Sequence, residues 1–326
     1  MRALICTEYG DFQNLVIDNL DDPVPGDDEI LFDVYAAALN FADLLSVAGK
    51  YQVRTPPPFV PGNEAAGIVT AVGAGVSNFK PGDRIIGALR GGGFAEQAVV
   101  DERFALPMPD GLDFERAAAY SVAYGTSYHA LKQAGLQPGE RVLVLGAAGG
   151  VGYAAVELAK AMGATVIAAA STREKLNFAA EAGADYGIDY SEEPLRKAVG
   201  KLTGGLDVDV VYDPVGGDLA EQALRATAWH GRYLVVGFAS GEIPCLPLNL
   251  ALLKEASIIG TWYGTWATKH PDAFAEDARE LRAMVESGKI SPRYSAAYDV
   301  GQFAAAFRLL AGRRALGKVV LRMRDA

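Results

Sequence analysis

Metal-binding and cross-linking side chains are scarce in this chain. Its 326 residues include two cysteines, Cys6 and Cys245, and three histidines, His129, His230 and His270. Two thiols are too few for a framework of several disulfides or for a four-cysteine zinc site, and the histidines do not fall at the spacing of metal ligands. We therefore expect a protein without a bound metal that functions in a reducing compartment.

The sequence also lacks a long apolar run and an excess of positive charge. No uninterrupted apolar segment approaches the roughly 20 residues that span a bilayer, and the opening residues, MRALICTEYG, show no signal-peptide pattern. The formal net charge of −10 opposes nonspecific attraction to nucleic acids and anionic membranes. We expect a cytoplasmic protein that binds neither nucleic acid nor membrane.

A glycine-rich turn stands between an apolar run and an amphipathic segment at residues 141–164. The run at 142–145 suits a strand buried on both faces, and the apolar positions after the turn recur at helical spacing. The first N–H groups of such a helix have no partner within it and bind phosphate. In the dinucleotide fingerprint G-x-G-x-x-G the aligned residues are Ala147, Gly149 and Gly152, so alanine replaces the first glycine. The alternative is a turn that serves packing alone.

The segment expected beside the adenine ribose carries cations and no acid. A second apolar run, 165–170, is followed by Ser171, Arg173 and Lys175. An acidic residue here would bind a free 2′-hydroxyl, whereas a hydroxyl and two cations suit a 2′-phosphate. The pattern favours NADPH over NADH as cofactor. The alternative is a capped helix whose charges face water.

The apolar segments divide the chain into two domains of an α/β protein. Residues 1–119 hold short apolar runs between Pro, Gly and Asp clusters, which predicts a β-rich domain. Residues 120–260 alternate strand-like and helix-like segments, which predicts a doubly wound parallel (Rossmann) sheet. Residues 261–326 are too few for a separate domain, so we expect them to return to the N-terminal one.

Several motifs along the chain resemble those of the zinc-independent quinone oxidoreductases related to zeta-crystallin, a branch of the medium-chain dehydrogenase/reductase superfamily. The resemblance covers essentially the full length and rests on Asn40 with Asp43 and on the segments GKY, PGNEAAGIVTAVGAGVSNFKPGDRI, AAGGVG, VYDPVGG and GKVVL. It implies a GroES-like catalytic domain, a Rossmann NADPH-binding domain and a homodimer. One departure is Glu157, where the family usually has glutamine, and we expect it to affect surface chemistry.

The resemblance also implies chemistry without zinc. Zinc-dependent relatives present a cysteine and a Gly-His-Glu run as ligands, where this chain has Asn40 and Gly62-Asn63-Glu64. Without a Lewis acid, the expected acceptors of hydride from NADPH are quinones. Alternatives are the reduction of activated double bonds, as in 2-alkenals or acryloyl-type thioesters, and an NADPH-binding protein without catalysis.

The resemblance further implies a set of cofactor-binding residues. They are Asn40, Thr126, Gly149, Gly150, Val151, Gly152, Ser171, Arg173, Lys175, Tyr190, Val215, Gly216, Phe238, Ala239 and Ser240. Two have structural alternatives: Thr126 as a hydroxyl that caps a helix, and Tyr190 as an aromatic that covers a strand end.

Asn40 and Tyr51 are the residues that the resemblance implies for catalysis. The amide of Asn40 would reach the cofactor or a substrate oxygen, and the hydroxyl of Tyr51 would donate to a quinone oxygen or a developing enolate. The alternative for Tyr51 is that it only lines the pocket. Asp43 is expected to bond backbone at its turn, and His129 to be a packed helix residue.

The segment GTWYGTW concentrates three aromatic residues, Trp262, Tyr263 and Trp266. They supply a flat wall for an aromatic acceptor in one interpretation and a dimer contact in the other.

Overall fold

The computed structural model describes residues 1–324 and divides into two compact units. The first unit combines Met1–Val122 with the C-terminal segment that begins at Pro292, and the second is the continuous segment Ala123–Ser291. None of the helices described within residues 1–324 has the length and apolarity needed to cross a membrane.

Strands dominate the first hundred residues, and strands and helices alternate afterwards. The strands are β1 (Arg2–Ile5), β2 (Val16–Asn19), β3 (Glu29–Leu39), β4 (Glu64–Val72), β5 (Arg84–Ala88), β6 (Gln97–Asp101), β7 (Ala105–Pro107), β8 (Arg141–Leu145), β9 (Thr165–Ala170), β10 (Tyr186–Asp189), β11 (Val208–Asp213), β12 (Thr227–Val235), β13 (Ser257–Gly260), β14 (Tyr294–Asp299) and β15 (Lys318–Arg322). The helices are α1 (Phe41–Val47), α2 (Phe114–Ala118), α3 (Ser121–Gln133), α4 (Gly150–Ala161), α5 (Arg173–Glu181), α6 (Leu195–Thr203), α7 (Asp218–Arg225), α8 (Asn249–Lys254), α9 (Tyr263–Lys269), α10 (Pro271–Glu286) and α11 (Phe303–Ala311). Short 3-10 turns lie at Phe12–Asn14, Glu102–Phe104 and Val300–Gln302.

The first unit is built on a mainly antiparallel sheet. Its strand order is β14-β15-β3-β4-β5-β7, with β6 also paired to β3. Buried and half-buried residues alternate along the first part of β3, which is the pattern of a strand with one face on a core. That core includes Phe32 of β3, Phe94 and Phe307 of α11. The β-rich N-terminal domain predicted from the sequence is confirmed.

The second unit contains a six-stranded parallel sheet in the order β10-β9-β8-β11-β12-β13. The first strand, β8, lies at the centre and is fully buried from Val142 to Leu145. The chain moves outward through β9 and β10 and then restarts on the other side of β8 with β11. This is the order of a doubly wound sheet, in which ligands bind at the carboxyl ends of the strands beside the reversal point. The predicted α/β fold class is therefore confirmed.

The C-terminal return begins later than the sequence indicates. We expected residues 261–326 to rejoin the N-terminal domain, whereas the second unit continues to Ser291. The reason lies in α10, which buries Phe274 and whose Asp277 accepts a 2.7 Å hydrogen bond from Lys132 of α3. These contacts hold α10 in the second unit, and β14, α11 and β15 alone make the return.

Candidate functional site

The turn between β8 and α4 leaves the start of the helix open to a ligand. Gly146 ends the strand with a φ of +58°, and a Cβ at Gly152 would lie 2.2 Å from the carbonyl oxygen of Gly146. Only glycine therefore allows this approach at residue 152. Gly149 is the N-cap of α4 and provides no side-chain cap, so no N-cap side chain occupies the first N–H groups, as an anion site requires. The residues fit a pyrophosphate.

The structure also explains the alanine in the fingerprint. Ala147 is fully buried, and the left-handed turn is made one residue earlier by Gly146. A Cβ at Gly146 would lie 2.9 Å from Cγ2 of Val215. The tight turn that the first fingerprint glycine normally provides is thus present at a neighbouring position.

Residues expected at the 2′-phosphate lie together at the end of β9. The Nζ atom of Lys175 is 3.1 Å from Oγ of Ser171, and Arg173 is exposed at the first position of α5. Thr172 caps α5 by accepting from the backbone N of Lys175 at 3.3 Å. The capped helix and the cationic cluster therefore coexist. The backbone N of Tyr190 donates to Ala170 O at 3.1 Å, which brings Tyr190 beside the same strand end.

Two loops meet at the carboxyl ends of β11 and β12. The backbone N of Ser240 donates to Val215 O at 2.9 Å, and a Cβ on Gly216 would lie 2.9 Å from Cδ1 of Phe238. The structure therefore brings Val215 and Gly216 together with residues 238–240, although Gly216 and Phe238 are 22 positions apart in the sequence. Ala239 takes part through a 3.0 Å bond from its backbone N to Pro214 O.

Asp213 shapes the first of these loops and was not singled out from the sequence. Its Oδ1 accepts from the backbone N atoms of Val215 and Gly216 at 2.7 and 2.8 Å, and its Oδ2 accepts from the hydroxyl of Tyr233. Burial raises the pKa of this carboxyl, while the three hydrogen bonds oppose the rise. An acidic residue at the end of the apolar strand VDVVYD was the available signal.

Thr126 lies in the middle of α3, so the interpretation as a helix cap is wrong. The helix begins at Ser121, five residues earlier. The next residue, Ser127, donates to the carbonyl oxygen of Val151 in the first turn of α4 at 2.9 Å. This bond links α3 to the glycine turn. Thr126 directly precedes Ser127 in the chain and is half-buried.

Asn40, Glu64, Ser121 and Lys318 form a buried polar cluster in the first unit, which we call the Asn40 network. The Nζ atom of Lys318 donates to Asn40 Oδ1 and to Glu64 Oε1, both at 2.6 Å. Asn40 Nδ2 also donates to Glu64 Oε1, at 3.0 Å. The other carboxylate oxygen accepts from Ser121 Oγ at 2.9 Å and from the backbone N of Val122 at 2.8 Å. Glu64 is 0% and Lys318 5% exposed, so each charge depends on the other.

Asp43 has the structural role that the sequence suggests. Its Oδ2 accepts from the backbone N of Asn40 at 2.7 Å, which forms the capping box of α1. Its Oδ1 accepts from Asn63 Nδ2 at 2.8 Å and from the backbone N of Gly62 at 3.2 Å. Burial raises the pKa of this carboxyl to about 7. Asp43 thus joins α1 to the segment that precedes β4.

A cavity of about 280 Å³ opens beside Asp43 in the first unit. Its lining residues are Asp43, Ser46, Thr55, Phe59, Val60, Pro61, Gly62, Asn63, Arg90, Gly91 and Gly92. Tyr51 is half-buried shortly after α1, and its backbone N donates to Leu45 O at 3.1 Å. The segment that leads from α1 into β4 therefore carries part of the cavity wall and the tyrosine expected at the substrate opening.

The remaining aromatic and acidic candidates lie in the second unit. His129 stacks on Trp266 at 4.0 Å, and burial lowers its pKa, which confirms a packed helix residue. Tyr263 also lies near His129, whereas Trp262 is 51% exposed. Our expectation that Glu157 affects surface chemistry is wrong. Its carboxylate is buried, and it accepts from the hydroxyl of Tyr124 and from the backbone N of Ser291.

Comparison with known proteins relates both units to one family. Residues 26–110 match the alcohol dehydrogenase GroES-like domain, and residues 150–282 match the zinc-binding dehydrogenase family. Quinone oxidoreductase-like protein 2 of Bos taurus is 38% identical over 325 residues, which cover 99% of this chain and 93% of that protein. The quinone oxidoreductase of Homo sapiens is 31% identical over 325 residues, with 98% and 97% covered.

Solved structures give the same result at the level of the fold. The crystal structure of Escherichia coli quinone oxidoreductase complexed with NADPH superposes with a TM-score of 0.93 at 30% identity, covering 99% of this chain and 100% of that one. The quinone oxidoreductase of Thermus thermophilus gives a TM-score of 0.86 at 35% identity, with 99% and 100% covered.

The zinc implied by one family description does not fit the side chains present. Asn40 and Asn63 stand where zinc-dependent relatives have a cysteine and a histidine, and both amides are hydrogen-bonded, to Lys318 and Asp43 respectively. An ammonium ion 2.6 Å from Asn40 would repel a metal cation at the same place. Amides are also poor substitutes for the thiolate and imidazole that zinc prefers. The chain belongs to the zinc-independent quinone oxidoreductase branch of the medium-chain dehydrogenase/reductase superfamily.

Proposed function

We propose that this oxidoreductase transfers hydride from NADPH to a quinone. The observation that carries the proposal is the Asn40 network, which takes the place of metal ligands in a chain of the quinone oxidoreductase branch. Quinones accept hydride readily without a Lewis acid, because the product is stabilised as an aromatic hydroquinone. The related Escherichia coli enzyme has been solved in complex with NADPH, which supports the choice of cofactor.

The residues of the second unit that would hold NADPH fall into three groups. The turn at residues 149–152 offers backbone N–H groups to the pyrophosphate, and Ser171, Arg173 and Lys175 offer a hydroxyl and two cations to the 2′-phosphate. Tyr190 would lie beside the adenosine. The loops with Val215, Gly216 and residues 238–240, together with Thr126, would complete the site at the carboxyl ends of the strands.

The first unit would supply the polar groups for the acceptor. When bound, NADPH supplies the hydride from its nicotinamide ring. The amide of Asn40 and the hydroxyl of Tyr51 would donate hydrogen bonds, and such donors stabilise negative charge that develops on an acceptor oxygen. This assignment keeps both residues that the sequence suggested for catalysis.

A second candidate function is the reduction of activated double bonds. The crystal structure of CurK enoyl reductase superposes with a TM-score of 0.91 at 27% identity and covers 99% of both chains. A 2-alkenal or an acryloyl-type thioester would be the acceptor in that case.

Steady-state kinetics separate these functions. NADPH oxidation is followed by absorbance with a polycyclic ortho-quinone and with a 2-alkenal under identical conditions, and kcat/KM is compared. We expect the quinone to be preferred by a large factor. A preference for the alkenal would transfer the assignment to double-bond reduction, and tight NADPH binding without either activity would favour a non-catalytic role.

We also propose a cytoplasmic homodimer that pairs through the edge of the parallel sheet. Ile258 is exposed on the edge strand β13. Leu252 and Leu253 of the neighbouring α8 are 76% and 66% exposed. Apolar side chains around an open edge suit a second copy of the chain. The mass in solution, from light scattering, tests this. Both free cysteines are compatible with a reducing compartment.

A further inference from the structure

Lys318 is a buried cation to which the proposed function assigns no role of its own. It begins β15, the strand of the motif GKVVL, and only 5% of it is exposed. Within residues 1–324 its ammonium donates to two side chains, Asn40 and Glu64. Burying an ammonium is costly unless its partners are well placed. The burial of this lysine therefore indicates a role beyond packing.

The two ionic groups of the network fix which way the Asn40 amide points. An amide offers an accepting oxygen and a donating nitrogen, and the two ends have nearly the same shape. The ammonium of Lys318 can only donate, and the carboxylate of Glu64 can only accept. Oδ1 therefore faces Lys318 and Nδ2 faces Glu64. The reversed amide would direct its NH₂ group at the ammonium.

This orientation determines what Asn40 offers to a ligand. One N–H of Nδ2 donates to Glu64 at 3.0 Å, and the other donates to Ala38 O at 3.4 Å, a long and therefore weak hydrogen bond that a better acceptor can replace. We propose that Lys318 is a positioning residue, which fixes the Asn40 amide so that this second N–H is presented to the acceptor oxygen. The proposal rests on the function proposed above for Asn40. Lys318 acts through Asn40 and does not itself touch the substrate.

A double-mutant cycle between Lys318 and Asn40 tests this role. We expect Lys318→Met to lower kcat by about 10- to 100-fold, the range that follows from a misplaced catalytic group. The same change in an Asn40→Ala background should alter kcat by less than about twofold, because the group it positions is already gone. Lys318→Arg retains a donor for Asn40 Oδ1 and should recover part of the lost kcat. Equal fold-losses in both backgrounds would refute the proposal.

Binding of NADPH is measured on the same proteins by fluorescence titration. We expect the Kd of Lys318→Met to stay within about twofold of the wild-type value, since the positioned N–H serves the acceptor. A large rise in Kd with unchanged kcat would refute this assignment. Lys254→Met is the matched control, since Lys254 also forms an ion pair, with Asp207 at 2.9 Å, and lies outside the site. It should leave kcat unchanged.

Two further measurements cover the cases in which Lys318→Met does not fold or the wild-type protein reduces neither acceptor. Should Lys318→Met not fold, Lys318→Met with Glu64→Met replaces the buried pair by apolar residues, a change that proteins often tolerate. A wild-type protein inactive toward both quinone and alkenal would refute the proposed function. Urea unfolding would still test the coupling between Lys318 and Asn40 on which the inference depends. Lys318→Met should lower the urea midpoint more in the wild type than in Asn40→Ala, and equal decreases would show that the two residues are not linked.

Discussion

The ammonium nitrogen of Lys175 lies 3.1 Å from the hydroxyl oxygen of Ser171, directly beyond the last residue of β9. In this arrangement the cation and the hydroxyl are already together before any phosphate is present. We expect Lys175→Gln to raise the Kd for NADPH about tenfold or more, since a hydrogen bond to a charged group contributes about 1.5–3 kcal/mol. The Kd for NADH should change little.

Fluorescence titration with both cofactors measures this preference. Lys201→Gln is the control, because Lys201 forms an exposed ion pair on α6 and should not affect either Kd. If Lys175→Gln raised the Kd for NADPH and the Kd for NADH by the same factor, the assignment of Lys175 to the 2′-phosphate would be contradicted.

Gly152→Ala should abolish NADPH binding and destabilise the second unit. The new Cβ would lie 2.2 Å from Gly146 O and force the turn apart. Gly200→Ala is the matched control in α6, where a Cβ would meet no atom within 4 Å. Gly200→Ala should raise the free energy of unfolding by about 0.5–1 kcal/mol, because alanine is more favourable than glycine inside a helix. Thermal unfolding and NADPH titration together measure both effects, and a Gly152→Ala protein with normal Kd would contradict the close approach.

The buried carboxyl of Asp43 should give a pH-dependent contribution to stability. Its folded-state pKa is raised from 3.8 to about 7, so the folded protein binds more protons than the unfolded one between these values. The contribution of Asp43 to the free energy of unfolding therefore falls as the pH rises from about 4 to about 7 and is constant above it. Asp43→Asn does not titrate, so the advantage of the wild type over this variant should shrink across the same window.

Urea unfolding at about pH 4.5, 6 and 8 follows this difference. Other carboxyls with lowered pKa, such as Asp185, act in the opposite direction but contribute equally to both proteins. A difference between wild type and Asp43→Asn that does not change with pH would contradict the raised pKa.

Glu157 should be replaceable by glutamine but not by an apolar residue. Glutamine keeps an accepting oxygen for the hydroxyl of Tyr124 or the backbone N of Ser291, whereas leucine leaves both donors without it. We expect Glu157→Leu to cost about 1–3 kcal/mol of stability for each buried donor affected, and Glu157→Gln considerably less. Chemical denaturation measures both variants. Glu276→Leu, on an exposed part of α10, is the control. Similar costs for the Gln and Leu variants would contradict this assignment.

Removal of divalent metal should leave activity unchanged. The ammonium of Lys318 lies 2.6 Å from Asn40 Oδ1, where its charge opposes a metal cation, so we expect no step to depend on zinc. Dialysis against a chelator should not alter kcat or the Kd for NADPH. Stoichiometric zinc in elemental analysis, together with activity lost to the chelator, would contradict this prediction.

Local patterns in the sequence predicted the second unit well and the Asn40 network poorly. The turn at 146–152 and the cations after β9 are each contained in a few consecutive residues, so their chemistry can be read directly. Lys318 and Asn40 are 278 positions apart, and no local pattern brings them together. The lysine that opens an apolar strand was the available signal, since lysine is rarely buried without a partner.

The boundary of the C-terminal return was missed for a similar reason. The amphipathic pattern of α10 shows that one face is buried, but not against which partner. The partner is α3, where Lys132 donates a hydrogen bond to Asp277 and the hydroxyl of Tyr128 donates one to Glu280. Glu157 was misjudged because an acidic residue on a helix is usually solvated, and its partner Ser291 is 134 residues away.

The position of β15 has a consequence for how the protein is made. This strand lies between β14 and β3 and carries Lys318, so neither the first unit's sheet nor the Asn40 network can form completely until β15 has been synthesised. The second unit is one continuous segment and contains no residue after Ser291. During translation the second unit can therefore fold before β15, the strand that completes the sheet of the first unit, has been synthesised.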